Sequence, residues 1–201
     1  STLMRSSAAS DVYKRQVLCV LFAFLYTTGP YPLSYNGWGD VLVIVFFGFV
    51  PVGGTYYVQA LTWTPDVTIA SLICGLLIDT LLVVNNYRDR EADARSGKRT
   101  VIVRFGEKFG RYFYLMLGIT ASLLCLCFLR EGHFYAAFLP QLYLIPHFLT
   151  WKRMVKIYSG KKLNSILGET SRNMLLMGIL IAIGMSVSYT HLRAHETRRH
   201  L

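Results

Sequence analysis

Long blocks of the chain carry no formal charge. Residues 41–64 are uncharged throughout, as are 112–129, and residues 134–151 hold nothing titratable near neutrality except His147. About 18 such residues wound as a helix cross a hydrocarbon core of roughly 30 Å. A helix also satisfies its own backbone hydrogen bonds there, which an open strand does not. The blocks therefore predict an all-α fold, a polytopic transmembrane helix bundle of about five full spans plus one partial N-terminal helix. The composition agrees: 53% of residues are hydrophobic and the mean hydropathy is +0.40, above the usual range for soluble domains.

Taken in order, residues 17–26 read as the end of a truncated helix. A loop rich in Gly, Pro, Tyr and Asn follows over 27–40. A span is expected over 41–60, with a kink or close helix contact at Pro51 and the pair Gly53–Gly54. Pro65 and Asp66 mark a helix start, and the next span covers 67–87, with the carboxylate of Asp79 inside it. A charged loop is expected over 88–111, then spans over 112–129 and 134–151 joined by a tight turn. A basic loop over 152–162 precedes the last span, where Glu169 and Arg172 stand at pairing distance on a helix. Residues 1–16 and 187–201 differ abruptly from their neighbours and resemble translated sequencing-adapter read-through. Both are set aside as non-native tails, leaving 17–186 as one transmembrane domain.

The net charge of +10 does not imply nucleic acid, because the basic residues gather in two loops and the two tails and no RNA-binding or zinc-finger pattern accompanies them. Loop 88–111 holds eight Lys and Arg and loop 152–162 holds five, whereas the turns on the other side hold only Arg130. The positive-inside rule puts both basic loops on the cytoplasmic side of a membrane that the chain crosses several times. Cys19, Cys74, Cys125 and Cys127 lie in apolar runs and read as buried hydrophobes, not as metal ligands or disulfides.

One stretch concentrates the chemistry: residues 85–104, NNYRDREADARSGKRTVIVR. Asn85, Asp89 and Asp93 are four apart, so on a helix they share one face. Carboxylates are unfavourable at a helix C-terminus, by roughly 0.3–1 kcal/mol each, and two at this spacing repel. A divalent cation removes both costs. Mg²⁺ takes oxygen ligands and is usually held by one or two carboxylates with substrate phosphates. Lys98, Arg99 and Arg104 follow a Gly break and supply cations for such an anion. The spacing alone fits equally a solvated juxtamembrane segment with incidental pairs such as Glu91 with Arg95, or a polybasic patch against anionic lipid.

The same stretch, with YTTGPYPLSYNGWGD, GTYYVQA and LNSILGETSRNMLLMGIL, resembles the UbiA-type intramembrane prenyltransferases, and within them the branch that prenylates 1,4-dihydroxy-2-naphthoate in menaquinone biosynthesis. The resemblance covers residues 17–186. It implies transfer of a polyprenyl group from polyprenyl diphosphate to an aromatic acceptor, with Mg²⁺ held by two Asp-rich motifs. On that resemblance Asp89 and Asp93 are catalytic, Asn85, Asp89 and Asp93 face the metal, and Lys98, Arg99 and Arg104 bind the diphosphate. Tyr26, Tyr56, Tyr57 and Gln59 are weaker candidates for the aromatic substrate. Other branches, which prenylate 4-hydroxybenzoate, chlorophyll or haem precursors, are the alternative reading. A polytopic transporter or lipid-binding protein is the alternative from another class, although charge gathers at one face and not at mid-membrane.

The family's first Asp-rich motif is missing from the sequence, and counting back from the second matches span 67–87 to the family's sixth helix. The chain is thus expected to be a fragment without activity of its own. Purified residues 17–186 should show no Mg²⁺-dependent prenyl transfer in a radiolabelled-donor assay, and turnover there would overturn that expectation.

Overall fold

A computed structural model describes Val17, Val20, Leu21 and residues 35–199, and every regular element among them is helical. The 1–16 tail, most of the expected 17–26 helix and most of the 27–40 loop lie outside the described residues.

The first helix, α1, is Gly39–Ala60. It is α-helical at both ends and π-wound over Ile44–Gly53, with Pro51 inside. Proline donates no hydrogen bond and crowds the carbonyl four residues back; the wider winding accommodates it, at the place where the sequence predicts a kink. The second helix, α2, is Pro65–Arg95. Thr64 caps its start, accepting from the Val67 N–H at 3.3 Å, and Pro65 occupies the first turn, where its missing N–H costs nothing.

The expected 88–111 loop is corrected here. Residues 88–95 are good helix formers with no Gly or Pro, so α2 runs on to Arg95. It stops at Gly97, whose φ of +77° only glycine adopts without strain. The loop is only residues 96–100. Thr100 then caps α3, Val101–Leu124, by accepting from the Val103 N–H at 3.3 Å. A break at Gly106 bends α3 near its start, and a 3₁₀ stretch, Cys125–Glu131, extends its end.

The expected 134–151 span is also more broken than its apolar content suggests. It consists of α4, Phe134–Phe138, a 3₁₀ turn, Leu139–Tyr143, and α5, Leu144–Ile157, with Pro140 at the junction. The last helix, α6, is Asn164–Arg199 and carries on into the tail that begins at 187. Among the described residues, four helices are long and apolar enough to cross a membrane: Gly39–Ala60, Pro65–Arg95, Val101–Glu131 and Lys161–Ser188. Their apolar side chains point outward as well as inward. Val41, Val45 and Val50 on α1 and Leu175, Ile179 and Ile183 on α6 are exposed. In water such surfaces drive association; against lipid tails they match the solvent, and the chain is a multi-pass membrane protein.

Helix α2 lies at the centre. It contributes Val83, Val84 and Tyr87 to one buried cluster and Ile73 and Leu77 to another. His147, the polar residue of the fifth span, is buried and fully engaged. It bonds the Tyr143 hydroxyl at 2.9 Å and the Leu115 carbonyl at 3.2 Å, and stacks on Tyr114 and Tyr143. Its role is structural. Cys74, Cys125 and Cys127 are free thiols; Cys19 lies outside the described residues. Glu169 pairs with Arg153 at 2.8 Å and accepts from Thr150 at 3.3 Å, in place of the expected Arg172, because α5 brings those groups to it.

Helices α1 and α2 run antiparallel and very close. A Cβ on Gly48 would collide with the Ser71 carbonyl oxygen, and a Cβ on Gly75 would lie 2.9 Å from Ile44 Cα. Backbones meet backbones at these turns, the approach that small residues permit in membranes. Gly48→Leu is expected to lower stability by about 1–3 kcal/mol, the usual cost of overpacking, read as thermal unfolding in detergent. Gly54→Ala, where an added Cβ meets nothing within 4 Å, should leave the transition unchanged.

Candidate functional site

The extension of α2 carries Asn85, Asp89 and Asp93 on one face of a continuous helix, as their spacing predicts. Their oxygens are not free. Arg88, which spacing arguments passed over, grips Asp89 through Nε at 2.7 Å and Nη2 at 2.6 Å. Its Nη2 also donates to Asn85 Oδ1 at 2.7 Å, and its Nη1 to Asn164 Oδ1 at 2.9 Å at the start of α6. Asn85 Oδ1 and Asp89 Oδ2 thus converge on one nitrogen, so a single cation fits between them.

Asp93 sits one turn further on. Its Oδ2 is buried without a hydrogen-bond partner, and Lys98 Nζ stands 3.5 Å from it. A hard cation takes oxygen ligands, and a carboxylate oxygen met only by a long ion pair, on the same helix face as two convergent oxygens, fits such an ion. Among the described residues no group of three or more His, Cys, Asp or Glu gathers into a metal cluster. The set is two carboxylates and an amide on one helix face.

The basic residues after Gly97 separate in space. Lys98 turns back to Asp93, while the Arg99 N–H donates to the Tyr35 carbonyl at 2.7 Å. Arg104 Nη2 donates to the Asn36 carbonyl at 2.7 Å. Arg99 through its backbone and Arg104 through its side chain therefore hold the segment before α1 against the 96–100 loop. The ion pairs on this stretch are Arg88–Asp89, Lys98–Asp93 and Arg90–Glu107, and not the Glu91–Arg95 pair that the alternative reading of a solvated segment offers.

Behind the motif, Arg90 and Arg111 lie over the rings of Tyr87 and Tyr158. Arg111 Nε donates to the Tyr87 hydroxyl at 2.9 Å. This cation–π stack ties α2, α3 and the end of α5 together under the site. The neighbouring Glu107 carboxylate holds the Tyr158 pKa above the ordinary tyrosine value.

A cavity of about 110 Å³ opens beside Asn85. Gly37, Asp40, Asn85, Asn86, Lys98 and Thr100 line it. Asp40 was not singled out in the sequence, where it is one acidic residue at a loop end. Asp79 was, as an unusual carboxylate within a span. It faces the bundle interior, fully buried, opposite Asp40 on α1. Tyr56, Tyr57 and Gln59 are exposed at the far end of α1. Sixteen or more residues from Asp40 at about 1.5 Å each, they stand a helix length away from the motif. Tyr26 lies outside the described residues.

A model of the UbiA prenyltransferase family matches residues 16–176. The chain is similar to a 1,4-dihydroxy-2-naphthoate octaprenyltransferase of Haemophilus influenzae, at 34% identity over 85% of the chain and 56% of that protein. A protein of the same description from Escherichia coli is 32% identical over 85% of the chain and 56% of its own length. One from Mycobacterium tuberculosis is 41% identical over 53% of the chain and 37% of its own length. The chain thus spans about half the length of these relatives. No solved structure gives a significant match. The matched segment holds α1 to α5, the 96–100 loop and all the motif residues, and the chain belongs to the UbiA prenyltransferase family.

Proposed function

We propose that the site takes part in transfer of a polyprenyl group from polyprenyl diphosphate to 1,4-dihydroxy-2-naphthoate, at the cytoplasmic face of a bacterial plasma membrane. The reading rests on one observation above all: Asn85 Oδ1 and Asp89 Oδ2 converge within 2.7 Å and 2.6 Å of one cationic nitrogen, one helical turn before Asp93. The names of the similar proteins support the donor and acceptor.

Asn85, Asp89 and Asp93 would hold Mg²⁺ through oxygen. When bound, the ion supplies Lewis-acid polarisation of the diphosphate oxygens. Arg88 must release Asn85 and Asp89 for that to happen, which turns its guanidinium toward the anion. Lys98 adds positive charge where the departing diphosphate gathers negative charge, and Arg99 and Arg104 would join it on leaving the segment before α1. The polyprenyl tail belongs along the outward apolar faces of the helices, since it is unfavourable in water. Enzymes acting on apolar substrates gain from placing charge only at the reacting end, and in this chain the charged residues gather at one end of α2.

Two measurements test the reading. In detergent micelles, farnesyl thiodiphosphate should bind the chain in a Mg²⁺-dependent way. Asp89→Asn with Asp93→Asn should weaken that binding at least about tenfold, the loss expected from charge-assisted contacts of 1.5 kcal/mol or more. The same pair of substitutions in a protein carrying both Asp-rich motifs should abolish prenyl transfer while the thermal transition is retained. Unchanged turnover there would remove these residues from the site.

A further inference from the structure

Asp40 stands in the first turn of α1, more than nine-tenths buried, with Oδ1 unpartnered. It lines the cavity beside Asn85. The metal-facing motif does not include it, and no ion pair of the site uses it. A buried carboxylate oxygen without a donor is costly, and a ligand that brings a donor recovers that cost.

Its position is fixed by the packing of α1 on α2. Gly48 lies against Ser71, and one turn on Ile44 lies against Gly75. A further turn brings position 40 opposite position 79, where the Asp40 and Asp79 carboxyls meet. Two close backbone contacts thus hold Asp40 rigidly, on a helix and not on a loop.

The cavity walls state the ligand chemistry. Asp40 and Lys98 line the same cavity, together with Asn85, Asn86 and Thr100. A bare phosphate meets Asp40's like charge, and a bare metal ion meets that of Lys98. An arene bearing a hydroxyl and a carboxylate answers both charges. A cavity of about 110 Å³ takes the polar edge of such a ring. Asn85 borders this cavity and also belongs to the cation-facing set, so a ring seated here lies next to the reacting end of the donor, as bond formation requires.

We propose that Asp40 accepts a hydrogen bond from the ring hydroxyl of the aromatic acceptor and so selects hydroxylated arene carboxylates. This rests on the prenyl-transfer reading for the name of the ligand and on the cavity for its chemistry. Lys98 then serves the acceptor's carboxylate as well as the diphosphate.

The test uses the full chain in detergent micelles and three stable probes, 1-hydroxy-2-naphthoate, 1-methoxy-2-naphthoate and 2-naphthoate, in calorimetric titrations. The wild-type chain should prefer the hydroxylated probe over the other two by about tenfold or more, the usual worth of a charge-assisted bond. Asp40→Asn should reduce that preference to about twofold or less, and Asp40→Glu should restore part of it, which a merely structural loss would not do. The methoxy comparison needs no variant and stands even if Asp40→Asn unfolds. Equal affinity of the wild type for all three probes overturns the proposal. So does an Asp40→Asn chain that keeps the preference, or one that changes only in its affinity for Mg²⁺ alone. Farnesyl thiodiphosphate binding in the same sample separates the two readings. If it fails while the hydroxyl preference persists, the transfer reading falls and the Asp40 subsite stands; the converse removes only the subsite.

Discussion

Hydrocarbon offers no hydrogen bonds to the chain. Each span must satisfy its backbone within a helix, and its ionic groups must collect at the ends or pair inside the bundle. Most of this structure follows from that constraint. Apart from Asp66 and Asp79, helix α2 is largely apolar until it turns charged over its last turns, so its oxygen-bearing side chains gather at its C-terminal end. That end is also where backbone carbonyls and two aspartates accumulate negative charge. Arg88 sits in the field they create, bonded to Asn85 and Asp89. The guanidinium shows that this end of the helix holds positive charge.

The same constraint makes the helix contacts depend on shape. Lipid tails are as apolar as leucine, so burying leucine between helices gains little there. Helices α1 and α2 instead approach until Gly48 touches the Ser71 carbonyl and Gly75 touches Ile44. The close contact is what sets Asp40 against Asp79, beside the small cavity that Asn85 of the motif also lines. A functional surface therefore grows from a packing decision made two and three turns below it.

The sequence made some of this legible. Uncharged blocks located the helices, because only length and apolarity are needed to cross a bilayer. Four-residue spacing placed Asn85, Asp89 and Asp93 on one face, because the helix period is local. Helix ends were read less well. The charged stretch 88–95 reads as a loop if polarity is taken for loop, yet its residues favour helix and only Gly97 stops it. The break at Pro140 was visible as a proline but not as a division of the span, since neighbouring helices decide whether a turn is rewound.

What the sequence determined by itself was the all-helical membrane architecture, the polar face of α2 and the family, each a property of local period or residue order. What only the tertiary structure decided was which charges meet. Arg88 rather than a solvent cation holds Asn85 and Asp89, Arg104 ties down the Asn36 segment, and Glu169 answers Arg153. Asp40, distant from the motif in sequence, comes to its edge. Partners in a helix bundle come from different helices, and their register is set by backbone contact at small residues, which no local pattern records.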